Sequence, residues 1–127
     1  MNNYQDIKNE SIQNTRNDFA KEIKEKAKID TEYPARTVNI MLGIFHAYKM
    51  HNKSRRVPLS YFKEQFLALE SDIHVSPDVD NLKKDVERTM DKLYKAKYIT
   101  YLDWTEEPVV SPQKCLEEML DVLDELI

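Results

Sequence analysis

Asn81, Lys84, Arg88, Lys92 and Lys95 follow one another at intervals of three and four residues, a spacing that puts all five on one side of an α-helix. Arginine and lysine on such a crest can donate to phosphate oxygens or guanine edges, and asparagine can pair with adenine. The chemistry on offer is therefore hydrogen-bonded recognition of a polyanion. The opposite direction is apolar: at 100° per residue Val79, Leu82, Val86, Met90 and Leu93 fall within about 80° of one another. Asp80, Glu87 and Asp91 flank one side and Asp85 the other, so the centre line of the crest carries no carboxylate. The same spacing also pairs Asp80 with Lys84, Arg88 with Asp91 and Asp91 with Lys95. A solvated face laced by weak ion pairs is thus the competing reading.

Little else in the chain points to chemistry. His46 and His51 are five residues apart and lie on different faces of one helix, and His74 has no companion at a ligand spacing, so no metal site is expected. The single Cys115 has no internal disulfide partner, which fits a reducing compartment. It reads as a small buried hydrophobe rather than a nucleophile. No carboxylate pair is placed as acid and base, so the chain reads as a non-enzyme without a cofactor. Gly43 is the only glycine, which excludes phosphate-cradling loops and dinucleotide fingerprints. Tyr101 and Trp104 could stack on bases, but alternating strand aromatics more often make core or dimer contacts.

The crest needs elements that hold it outward. Residues 1–14 are Asn- and Gln-rich and read as a loose arm. Phe19, Ile23 and Ala27 predict an amphipathic helix over Thr15–Ile29. "DTEYP" interrupts it, and Ala35–His51 forms a helix apolar around most of its circumference, hence central. "HNKSRR" is a polar turn, "RVPL" a candidate short strand, and Ser60 a cap for a helix carrying Phe62, Phe66 and Leu69. Ser76 and Pro77 mark the start of the basic-crested helix, with Asp78 and Asp80 at its positive end. "YITYLDW", "TEEP" and "VVS" read as strand, turn and antiparallel return. Ser111 and Pro112 repeat the cap-plus-proline signal before a last helix. Its apolar stripe, Cys115 to Ile127, is wide enough for two contacts, one of them a partner helix with Met119, Val122 and Leu126 at the seam.

At 127 residues with net charge −4, the chain suits one domain. Eight acids and one base lie in Asp103–Ile127, against fifteen acids and eighteen bases before them, so the remainder is mildly basic and an anionic partner is not excluded. No apolar run is long enough for a membrane span and no signal layout opens the chain, which predicts a cytoplasmic location without membrane partners.

The order helix, short strand, helix, loop, basic-crested helix, strand, turn, strand resembles the winged helix-turn-helix family over Ala35–Ser111, with "LYKAKYI" at the passage from recognition helix to wing. That resemblance implies a mostly α fold with a small β-hairpin: an N-terminal arm and helix (1–33), a winged-helix core (34–111) and a C-terminal dimerisation helix (112–127). It further implies a homodimer that binds double-stranded DNA, as a transcriptional regulator or a replication or partition accessory of a plasmid or phage. Asn81, Lys84 and Arg88 would enter the major groove, while Lys92, Lys95, Lys53, Arg55 and Arg56 would meet phosphate. Two other readings stay open: a winged-helix module that recruits another protein, and a small inhibitory protein acting through its acidic last helix.

Overall fold

The computed structural model describes residues 3–29, 34–73, 79–103 and 106–127. These residues are mostly helical, with five helices and a three-stranded antiparallel sheet among them: α1 (Asn3–Ala27), α2 (Pro34–Asn52), β1 (Val57–Pro58), α3 (Leu59–Ile73), α4 (Val79–Lys95), β2 (Ile99–Leu102), β3 (Val109–Pro112) and α5 (Lys114–Glu125). The strand order is β1-β3-β2. Val57 pairs with Val110, and Tyr101 pairs with Val110 from the other side, so the second strand of the sequence-predicted hairpin becomes the central one.

α2 is the hub, because its apolar residues point in several directions. Val38, Met41, Leu42, Ile44 and Phe45 are all buried. Phe45 meets Phe62 of α3 at a centroid distance of 5.2 Å, and Phe62 stacks on Phe66 at 6.4 Å. A fully buried ring of this kind contributes about 3–5 kcal/mol relative to alanine. α4 closes the core from another side with Val86, Met90 and Leu93, and α5 with Leu116, Met119, Leu120 and Leu123. Of the stripe read on α1, Ile23 and Ala27 are buried and Phe19 packs partly buried against the core, with Ala20 buried beside it.

Helix ends depart from common usage. Lys28, Lys53 and Lys97 have φ of 53°, 54° and 67°, the left-handed conformation that glycine adopts most cheaply. Each follows a helix. The amides of Ile29 and Tyr98 reach back to the carbonyls of Lys24 and Leu93 at 3.1 and 2.9 Å, the six-to-one bond of a Schellman cap. A lysine there places its charge beside the negative end of the helix dipole.

Three expectations change. The Asn- and Gln-rich arm is helical from Asn3. Ile12 packs against the core, and Lys8 Nζ donates to the Ile127 carbonyl at 2.8 Å, so tertiary contact supplies what composition lacked. Ser111 and Pro112 end β3 rather than cap α5, whose N-cap is Gln113 without a side-chain cap bond. Pro112 is tolerated in the central strand because it is the last residue, where a missing donor is least felt. Cys115 is exposed, with its thiol 3.7 Å from the Lys97 carbonyl, because the stripe buried on α5 runs through Leu116 instead. The expected capping residues Ser76 to Asp78, together with His74 and Trp104, lie outside the described residues. No helix of the described residues is long and apolar enough to cross a membrane.

Candidate nucleic-acid interface

α4 is the most sharply two-sided helix of the chain. Leu82, Val86, Met90 and Leu93 are buried, and Asn81, Lys84, Arg88 and Lys95 are exposed. Asn81, Lys84, Asp85 and Arg88 line one shallow depression on its outer surface. Three of the five crest residues are thereby brought together at one end of the helix. Lys83 and Lys84 carry no ion pair among the described residues. Arg88 pairs with Asp85 one turn earlier. Lys95 pairs with Asp91 at 2.9 Å, both well exposed, so that pair contributes little. Part of the ion-pair lacing foreseen for this face is present, though Arg88 turns to Asp85 rather than Asp91.

Lys92 is placed differently from its neighbours. It is half-buried and donates to the Lys28 carbonyl at 3.0 Å, tying α4 to the end of α1. Lys83 adds an exposed cation that the crest did not include.

The second basic cluster faces elsewhere. Lys53, Arg55 and Arg56 line a depression shared with Glu117 and Asp121 of α5, and no residue of α4 takes part. Arg55 is 11% exposed and fully engaged: Nη1 donates to the Glu117 carbonyl at 2.8 Å, and Nη2 to Asp121 Oδ1 and Asp124 Oδ2 at 2.7 and 2.6 Å. The expected phosphate contact is an internal staple, because α5 brings its acidic side over the end of α2. Lys49 also pairs with Asp124. His46 Nε2 lies 2.9 Å from Asp124 Oδ1, but the two atoms are not aligned for a hydrogen bond. Burial first, then Arg16, Lys49 and Arg55, push the His46 pKa below its ordinary value, so the ring is a neutral neighbour of the network. Lys53 and Arg56 remain exposed.

The acidic turn between β2 and β3 has a structural task. Glu107 Oε1 accepts from the Ser60 amide at 2.9 Å, and the Leu59 amide donates to the Pro108 carbonyl at 2.9 Å. A carboxylate from across the sheet thus caps α3, the task assigned by sequence to Ser60. Hydrogen bonds from Ser60 hold Glu107 below the usual carboxylate range.

The expected dimer seam is only partly outward. Met119 is 9% exposed and belongs to the core, Leu126 is half-buried against it, and Val122 is 45% exposed. The stripe on α5 looked too wide for one contact because it serves several neighbours in the same chain, α2, α1 and β3. Among the described residues no group of three His, Cys, Asp or Glu side chains could hold a metal ion.

No family model, no curated protein and no solved structure matches the chain. The site's chemistry rests on its own geometry.

Proposed function

We propose that this chain is a winged helix-turn-helix protein that binds double-stranded DNA as a homodimer, in the role of a transcriptional regulator or a replication or partition accessory. One observation carries the reading. The outer face of α4 presents Asn81, Lys84 and Arg88 around one depression, and α4 stands between α3 and a hairpin in the element order of a winged helix. Asn81, Lys84 and Arg88 would read base edges, with Lys83 and Lys95 toward phosphate. Arg55 and Lys92 act inside the protein. In a dimer the two α4 helices would sit about 34 Å apart, so the preferred site is nearly palindromic.

A protein-recruiting winged helix is the second reading, favoured by the Arg88–Asp85 pair and by the acidic turn at the wing. Titration of random-sequence duplex at low and moderate salt separates the two. DNA binding predicts affinity that falls with salt and largely disappears in Lys84→Ala with Arg88→Ala. Absence of binding at low salt refutes the DNA reading.

A further inference from the structure

A cavity of about 780 Å³ opens between α1, α2 and α3, and no residue of α4 lines it. Its floor is the outward side of α2, with Ile40, Gly43 and Tyr48, and Tyr61 and Leu69 of α3 extend the apolar surface. Arg16 and Arg36 stand in its walls. In a chain whose acids outnumber its bases, none of the described residues lining the cavity is Asp or Glu. The described lining therefore combines apolar surface with the positive charge of Arg16.

Two details bear on what the cavity could hold. Arg16 Nε and Asn39 Oδ1 are buried without hydrogen-bond partners, and a buried unpaired donor on a cation is costly to a fold. Burial also lowers the Arg16 pKa, the direction expected of a guanidinium short of an anion. The other detail is Gly43. Glycine is the least favourable helix-interior residue after proline, yet the chain's single glycine sits in the middle of α2 while its left-handed helix ends carry lysine. A Cβ at position 43 would meet only Arg16 Nη1, at an ordinary 3.9 Å. Packing within the chain does not demand glycine there. What glycine does provide is depth in the cavity beside the Arg16 guanidinium.

A volume near 780 Å³ lies within the range of about 300–1,000 Å³ for small-molecule sites. The amides of Gln13, Asn17 and Gln65 at the wall suit a polar ligand edge better than the continuous apolar strip of a partner helix. We propose that this cavity binds a small organic anion, a carboxylate, sulfonate or phosphate on a flat apolar body, with Arg16 holding the acid group and Gly43 making room for the body. The site is independent of α4, so it would give a DNA-binding protein a place for an effector without being part of the DNA surface.

The test uses the full chain and 1-anilinonaphthalene-8-sulfonate as the fluorescent probe, competed by 2-naphthoate, 2-naphthyl phosphate and the uncharged 2-naphthamide. The expected result is one saturable site from which the two anions displace the probe and the amide does not. Arg16→Gln weakens probe binding about tenfold or more, Gly43→Leu abolishes it, and Lys84→Ala with Arg88→Ala leaves it unchanged. Circular dichroism establishes that the variants fold; if Gly43→Leu does not, Gly43→Ala takes its place with a smaller weakening. Equal competition by amide and anions, or probe affinity indifferent to Arg16→Gln, overturns the proposal. So does sedimentation showing that the Gly43 variant converts a dimer to monomer, which would assign the cavity to a second copy of the chain.

Discussion

Asp124 is the shared polar partner that ties α5 to α2 and to the segment ahead of β1. It is 19% exposed and touches Lys49 of α2, Arg55 ahead of β1, and the edge of His46. Replacing it with alanine leaves two cations without their shared carboxylate. Arg55 keeps the Glu117 carbonyl and Asp121, but Asp121 is 66% exposed and a pair of that kind adds little. Breaking a buried pair on one side costs about 3–5 kcal/mol, and partial exposure places Asp124→Ala near the lower end, about 3 kcal/mol. Arg55→Ala is milder. It removes charge-assisted bonds worth about 2 kcal/mol net, while Asp124 keeps Lys49 and is not stranded. Urea denaturation at neutral pH measures both, and at about 3–5 °C per kcal/mol for a chain of this size the Asp124 variant melts about 10 °C lower. If Asp124→Ala costs no more than Arg55→Ala, or if both lie within about 0.5 kcal/mol of wild type, the network is surface decoration and the reasoning fails.

Lys97→Gly relieves a left-handed lysine at φ 67° and should stabilise the fold by up to about 1 kcal/mol, less whatever the added freedom of the unfolded chain takes back; urea midpoints decide. Glu107 has a folded pKa below its unfolded value, so its contribution is complete above about pH 4.3 and is lost as pH falls through the lowered value. Melting curves of wild type and Glu107→Gln should accordingly differ at pH 7 and converge at strongly acidic pH; a constant gap would refute the cap. His46, also lowered, adds stability that is complete above about pH 6.5 and declines as pH drops toward its folded value. His46→Phe should flatten the stability profile just below pH 6.5, and an unchanged slope there would show that the ring is not held neutral. Val122→Asp alters the exposed side of α5 and should yield monomer by sedimentation with weaker DNA binding; a dimer of normal affinity removes α5 from the interface.

Much of the architecture was legible from local pattern. The two-faced spacing of α4, the apolar circumference of α2 and the β-branched stretches around the acidic turn each express a period that the backbone imposes on any chain. The helical arm was not legible, since its Asn and Gln residues favour a helix only once Ile12 and Lys8 find partners on other elements. The site divided in the same way. That Lys84 and Arg88 point outward follows from their spacing from Val86 and Met90, but that Arg55 is spent on α5 depends on a residue 69 positions away.

By itself, then, the sequence determined which side of α4 is apolar, that α2 is apolar around most of its circumference, roughly where the strands lie, and that a basic crest faces away from the core. Those are consequences of period and need only neighbours three or four residues along. The tertiary structure alone decided which cations remain available, that an acidic turn caps α3, that Met119 is core rather than seam, and that Arg16 and Gly43 meet across a cavity. Each of these depends on side chains distant in sequence competing for the same partner, and no local period records the outcome of that competition.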